Sequence, residues 1–294
     1  SNPCEGSLLR QQGSSQVRAE TAGPLLFASP LRFSTRGAGY HGGVTEFQSG
    51  RYARQAALPQ LGAEGQLHLS EATVVIVGCG AIGATAAALC VRGGVGRVRL
   101  IDPDRVHVDT LHRQLLFTEK DALRARTKVM AARSRLGAAN STVAVEAVVA
   151  RLVEDNAEGL LRGADLVLDG LDTMGARELL NRACVGIGVP WVYAGVDGTA
   201  CTIAVFGGGG PCFSCLWPAN DSELAENDTA GVLNTAPAAA AAFQVSEAIR
   251  LLCGSEPRPV LHHHDLWGGT SRTVEISRDP ECPVCGARGG SSTS

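Results

Sequence analysis

The chain has 294 residues, of which 45% are hydrophobic and 19% charged, with a formal net charge of −3 at pH 7. That length accommodates a large core, or one α/β domain with appendages. The near-neutral balance excludes bulk electrostatic attraction to nucleic acid or to a membrane surface. No apolar run is long enough to span a bilayer, and the first thirty residues lack the charged-then-apolar order of a signal peptide. Residues 1–49 are rich in Gly and Ser with little periodicity, which predicts a flexible N-terminal arm that LLF (25–27) and LRF (31–33) could pin down in part.

From residue 50 onward the pattern changes. ATVVIVG (72–78) is a short apolar, β-branched run, the mark of a strand buried on both faces. AIGATAAALCVRG (81–93) comes next as a helix with small residues on its packing face, and RVRLID (97–102) as a second strand. Residues 119–137 read as one helix, 142–150 and 164–172 as strands, 176–188 as a helix, and 191–196 and 200–206 as strands. The segment 237–254 has Pro at its start and Gly just past its end, the signature of a capped helix. This alternation predicts an α/β fold: a Rossmann-like, mostly parallel sheet with helices on both faces.

Ten cysteines are many for such a domain. Cys212 and Cys215 lie in PCFSC, and Cys282 and Cys285 in ECPVC. Two C-x-x-C pairs supply four soft ligands, the closed tetrahedral set of a structural Zn²⁺ that would clamp the C-terminal segment to the middle of the chain. A redox or disulfide C-x-x-C is the alternative, but neither pair opens a helix in a thioredoxin-like pattern. The other cysteines (Cys4, Cys79, Cys90, Cys184, Cys201, Cys253) sit mostly in apolar runs as small hydrophobes, which fits a reducing cytoplasm.

Gly78, Gly80 and Gly83 spell G-x-G-x-x-G between a strand and a helix, where glycines let backbone approach a phosphate at a helix N-terminus. By itself the pattern reads first as a dinucleotide site, and Asp102, nineteen residues beyond Gly83, stands where a carboxylate meets a ribose. The residues beyond the second strand depart from a dehydrogenase. Arg113 beside Gln114, then Arg126 and Lys128, and upstream Arg51, Arg54 and Gln55 place cations around the glycine loop. Such a set suits a triphosphate, although any one of them could be a solvated surface charge. LDGLD ends a strand with Asp169 and Asp172. An aspartate at the carboxyl edge of a parallel sheet can hold Mg²⁺ on phosphates, and the plainer reading of Asp172 is an N-cap for the next helix.

RYxRQ, GxGxxG, the strand-end Asp, the RQ pair, a Lys on the next helix, a second Asp and two CxxC pairs occur in that order. The chain thereby resembles the ThiF/MoeB/HesA branch of the ubiquitin-activating enzyme superfamily from residue 51 to residue 286. The resemblance implies a ThiF-type adenylation domain over 50–290 with its zinc site, followed by a tail at 291–294. It implies use of ATP and Mg²⁺ to adenylate a C-terminal carboxylate. Gly78, Gly80 and Gly83 would cradle phosphates, Asp102 would bind ribose, and Asp104 and Gln114 would complete the nucleotide site. Arg113 and Lys128 would neutralise the triphosphate, Asp172 would hold the metal, and Arg54 would act on the neighbouring subunit of a homodimer. The partner would be a ubiquitin-like sulfur carrier or a short peptide.

Four positions depart from the family pattern: Ala81 for a glycine, Thr110 for an asparagine, Thr173 for the asparagine after the second aspartate, and Asn227 where sulfur-transfer members carry a loop cysteine. No cysteine lies between 216 and 252, so a covalent thioester on that loop is not expected. Cys184 sits in an apolar helix and reads as structural. His262, His263 and His264 alternate along a strand and would not converge on one metal. A nicotinamide-dependent oxidoreductase and a catalytically silent nucleotide-binding protein are the competing classes. Pyrophosphate exchange separates the enzyme from the silent protein, and an absorbance change with NAD would revive the oxidoreductase.

Overall fold

The computed structural model describes residues 50–217 and 231–286. The predicted arm (1–49), Asn227 with most of its loop, and the tail lie outside the described residues. Five strands are parallel neighbours: β1 (Thr73–Val77), β2 (Arg97–Ile101), β3 (Ala144–Val148), β4 (Leu166–Asp169) and β5 (Trp191–Asp197). Their order is β3-β2-β1-β4-β5, so the strand order reverses between β1 and β4. The sheet continues through β6 (Ala200–Phe206), β7 (Val260–Asp265) and β8 (Thr270–Glu275), all antiparallel to their neighbours. The turn at Gly198 (φ +57°) leaves only two residues between β5 and β6, too few for a parallel crossover, so the chain folds straight back.

The helices are α1 (Ala53–Ala56), α2 (Gly62–Glu71), α3 (Ala81–Gly93), α4 (Glu119–Leu123), α5 (Lys128–Ala139), α6 (Ala157–Leu161), α7 (Met174–Ile187), α8 (Phe213–Leu216) and α9 (Thr235–Leu252). They cover both faces. On one, Val74, Ile76, Leu100 and Leu168 pack with the alanines of α3, with α5 and with α9. On the other, Val75, Val77, Trp191 and Phe206 pack with Leu161, Leu180 and Phe213 of α6, α7 and α8. The apolar run 73–77 reads as fully buried because alternate side chains serve both cores.

The single helix expected over 119–137 is two. A capping box between Thr118 and Asp121 starts α4, and Ala125 at φ +44° then turns the chain so that Thr127 bridges Arg105. The strand expected over 164–172 stops at Asp169, whose carboxylate Oδ1 accepts the Leu171 N–H at 2.8 Å and bends the chain out of the sheet. Pro237 sits in the first turn of α9, where its missing N–H costs nothing, rather than at the first helical position.

Candidate active site and metal centre

The point where strand order reverses is where open α/β sheets bind ligands, and here it is built by deleted side chains. Gly78 (φ +91°) ends β1, and a methyl group on it would press into the Gly170 carbonyl oxygen and lie 3.0 Å from the Leu171 nitrogen. A methyl on Gly83 would fall on the Gly78 carbonyl, and one on Gly170 would meet the same carbonyl. Three glycines therefore let the first turn of α3 and the turn after β4 lie backbone against backbone. Gly80 is different. The nearest atom to its missing methyl is Gln114 Nε2 at 4.0 Å, so this glycine faces open space at the N-terminus of α3. An anion meets oriented N–H groups and the positive helix end there.

Several predicted residues converge on this loop. Asp102 is buried; its Oδ2 accepts the Cys79 N–H at 2.7 Å and its Oδ1 accepts the Asp104 N–H at 2.7 Å. The carboxylate thus staples the glycine loop to the end of β2. Lys128 Nζ donates to Asp104 Oδ2 at 3.0 Å and stands 4.0 Å from Asp102 Oδ2. Gln114 is buried with Oε1 lacking any hydrogen-bond partner in the described structure. A buried, unsatisfied acceptor beside an open glycine fits a site completed by a polar ligand. Arg113, its neighbour in the chain, is half-exposed with His112 Nε2 3.5 Å from its Nη1.

Asp172 is exposed one residue beyond the turn that contacts Gly78. It is not the helix cap: Thr173 takes that role, accepting the Ala176 N–H at 3.3 Å. Its carboxylate acts electrostatically on Arg177, and a hard carboxylate oxygen at this edge suits Mg²⁺. Asp169, by contrast, is fully buried against Arg177, a residue that sequence reasoning missed. Its only signal was an arginine eight residues after a strand-end aspartate. Burial raises the Asp169 carboxyl, and the Arg177 guanidinium opposes that rise.

Other predicted residues lie elsewhere. Arg126 pairs with Asp121 at 3.2 Å, Arg51 donates to the Ala139 carbonyl at 3.0 Å, and the Thr110 hydroxyl donates to the His107 carbonyl at 2.8 Å. Gln55 donates to the Gly93 carbonyl at 2.9 Å, and Tyr52 lies against Gly94, so the RYARQ segment grips the C-terminal end of α3. Arg54 is exposed beside them. α3 has 13 residues, about 20 Å at the rise of an α-helix, and the glycine loop is at its opposite end. One side chain does not span that. His262 and His264 face α9, where His264 stacks on Phe243 at 4.2 Å, while His263 turns the other way to Thr202.

The four zinc-candidate sulfurs meet. Cys212 Sγ lies 3.6 Å from Cys282 Sγ and 3.8 Å from Cys215 Sγ, and Cys215 Sγ lies 3.4 Å from Cys285 Sγ. All four atoms fall within 4.8 Å of one another, and none is in a disulfide. Four thiolates about 2.3 Å from one tetrahedral Zn²⁺ stand about 3.8 Å apart, so the set fits that ion. Burial works to raise the Cys282 thiol, but the backbone N–H groups of Cys285 and Val284 and the thiols of Cys212 and Cys215 hold it at about 7. The first pair is anchored independently: Asn181 accepts the Phe213 N–H at 3.0 Å and donates to Ser214, and the Phe213 ring packs against Trp191 and Trp217.

The ThiF family model matches residues 52–284. The chain belongs to the ThiF family. The sulfur carrier protein ThiS adenylyltransferase of Bacillus subtilis (strain 168) is 38% identical over 243 residues, covering 82% of this chain and 72% of its own. The sulfur carrier protein adenylyltransferase of Thermus thermophilus is 38% identical over 253 residues, 82% of this chain and 92% of its own. Among solved structures, Escherichia coli MccB with ATP superposes with a TM-score of 0.70 at 25% identity, over 82% of this chain and 76% of that one. This ThiF-family chain is accordingly an adenylyltransferase. Among its described residues no helix is long and apolar enough to cross a membrane.

Proposed function

We propose that the chain adenylates the C-terminal carboxylate of a ubiquitin-like sulfur-carrier protein, using ATP with Mg²⁺ and working as a homodimer in a reducing cytoplasm. The observation that carries this reading is one loop with open Gly80, unsatisfied Gln114 and Lys128 around it, and exposed Asp172 one residue beyond the Leu171 that abuts Gly78. The Bacillus subtilis and Thermus thermophilus relatives act on sulfur carriers, and none of the cysteines with a described side chain is in a disulfide, as such a compartment favours.

A carboxylate oxygen of the carrier attacks the α-phosphorus of ATP, the bond to the β-phosphate oxygen breaks, and pyrophosphate leaves with that electron pair. Both reactants are anions, so charge neutralisation is the main task. The N–H groups around Gly78, Gly80 and Gly83 and the end of α3 receive phosphate oxygens. Lys128 and Arg113 add positive charge, while Asp102, Asp104 and Gln114 hold the nucleoside end. Mg²⁺ held by Asp172 would offset charge on the departing phosphates. Arg54 is too far from its own loop and serves the partner subunit's nucleotide. With Asn227 in place of a loop cysteine, and with burial pushing the Cys79 and Cys184 thiols up, the acyl-adenylate passes to an outside nucleophile with no enzyme thioester. Zn²⁺ held by Cys212, Cys215, Cys282 and Cys285 is structural, since four sulfurs leave no open position.

A short-peptide substrate is the second reading, drawn from the MccB structures solved with MccA. ATP–pyrophosphate exchange tests both: it should rise with a Gly-Gly-terminated carrier and not with a short peptide, and a rise with the peptide alone would reverse the choice. Mixing Arg54→Ala chains with Asp172→Ala chains should restore part of the activity, because one hybrid site keeps both residues. Verified mixed dimers without recovery would remove Arg54 from the reaction in trans. Non-reducing mass spectrometry during turnover should show no thiol-sensitive adduct on any cysteine.

A further inference from the structure

One buried ion pair stands directly behind the Asp172 turn. Asp169 is 0% exposed and Arg177 8%, with Arg177 Nε donating to Asp169 Oδ2 at 2.9 Å. A pair this dry is weak support for stability, since apolar residues of similar volume commonly serve as well. What it does hold is backbone. Asp169 Oδ1 accepts the Leu171 N–H at 2.8 Å, and Arg177 Nη2 donates to the Leu171 carbonyl at 2.7 Å. Both main-chain polar groups of the residue before Asp172 are therefore engaged by a single ion pair.

The clamp is itself fixed from several sides. The guanidinium lies 4.9 Å over the Tyr193 ring and reaches the Ala194 carbonyl at 3.4 Å. From α9, Gln244 Nε2 donates to the carbonyls of Asp169 and Val192, each at 2.8 Å. On the opposite side the turn rests on the Gly78 backbone. β4, β5, α7 and α9 thus meet at the Asp169–Arg177 pair, which holds Leu171, and the next residue is the exposed carboxylate. Thr173 then starts α7 on its own hydroxyl cap, so the backbone is held on both sides of Asp172.

We infer that Asp169 and Arg177 form a positioning pair, which sets the Leu171 backbone and through it the aim of the Asp172 carboxylate at the glycine loop. This rests on the proposed role of Asp172 as a metal-holding residue. Arg177 holds the Leu171 main chain directly, and its charge also acts on Asp172. A lysine would keep the charge but lose the planar fork that serves Asp169 and Leu171 together.

The test compares Arg177→Lys and Asp172→Asn with the parent in three measurements: thermal melting, amide hydrogen exchange over 166–174, and Mn²⁺ affinity by paramagnetic resonance with the non-reacting analogue AMPCPP. Arg177→Lys should melt near the parent, exchange faster at 170–172 only, and bind Mn²⁺ about 10-fold more weakly. In pyrophosphate exchange it should lower kcat while leaving the KM for the carrier unchanged. Asp172→Asn should weaken Mn²⁺ with parental protection at 170–172. If Asp172→Asn weakens Mn²⁺ and a folded Arg177→Lys does not, the positioning role is overturned and the metal role of Asp172 stands. If Asp172→Asn leaves Mn²⁺ affinity parental, the metal role fails and this inference falls with it. Should Arg177→Lys not fold, the double variant Asp169→Leu, Arg177→Met removes both clamps without leaving an unpaired charge. Parental Mn²⁺ affinity in that folded protein would equally overturn the proposal.

Discussion

The glycine junction and the cysteine cluster solve the same problem, joining segments far apart in sequence, by opposite means. At the junction, residues 78–83 meet residue 170 because side chains are missing and backbone touches backbone. At the cluster, residues 212–215 meet 282–285 because four side chains reach towards one point. The first contact is a product of the sheet itself and lasts as long as β1 and β4 stay paired. The second is made of thiols, whose contact responds to metal binding, oxidation and proton concentration. The glycine end is thus built into the fold, whereas the C-terminal end is conditional.

Glycine substitutions break the comparison most severely. Gly83→Ala forces a methyl into a backbone carbonyl that cannot swing away, and should cost about 3 kcal/mol or more, or prevent folding. Gly80→Ala, which meets only open space, should melt like the parent yet bind ATP more weakly. Equal melting temperatures for the two variants would refute the distinction. Next, Asp172→Ala should lower pyrophosphate exchange by about 10² to 10³ with an unchanged melting temperature, because Thr173 carries the helix cap. A large loss of stability would show that Asp172 has a structural task.

Metal removal sharpens the other side. A chelator, or Cys282→Ser, should release the 278–286 segment to proteolysis while leaving the 212–215 turn in place, since Asn181 and the Phe213 ring hold the first pair without metal. Native mass spectrometry should find one zinc per chain before treatment. Simultaneous exposure of both pairs would show that the two anchors are not independent.

The smallest effect belongs to Asp121. Burial pushes its carboxyl up, but hydrogen bonds from Arg135 and Thr118 outweigh that and hold it at about 2. A depressed carboxyl contributes stability above its unfolded pKa near 3.9, and loses it as pH falls towards 2. Allowing for solvent around Arg135, the contribution is about 1 to 2 kcal/mol. Asp121→Asn should flatten the stability curve between pH 5 and 2, and an unchanged curve would assign acid sensitivity elsewhere.

The elements around the glycine loop were legible because their signals are local. A β-branched run, three glycines and a small-residue helix fall within 21 residues, 73–93. The α4–α5 break was not legible, because Ala125 has no left-handed preference and its φ of +44° goes with long-range contacts, the Arg105–Thr127 bridge among them. Nor could the pattern say that Gly78 and Gly83 serve packing while Gly80 faces open space, since Gly83 meets the Gly78 carbonyl only once the loop has folded and Gly78 meets Gly170 only once β4 is in place. The motif order showed Asp172 but not Arg177, whose importance appears only once Leu171 lies between it and Asp169. The four cysteines were the easiest, as paired spacing survives any distance along the chain.

The second residue of the glycine loop is a cysteine turned inward. Cys79 is fully buried, its backbone N–H is held by Asp102, and burial together with that carboxylate pushes its thiol well above the usual range while Lys128 opposes. A maleimide added to the native protein therefore finds no thiolate at the glycine loop, whether or not ATP is present. Labelling of Cys79 becomes a clock: it advances only when the packing between β1 and α3 opens, and its rate reads the lifetime of the loop without any need for turnover.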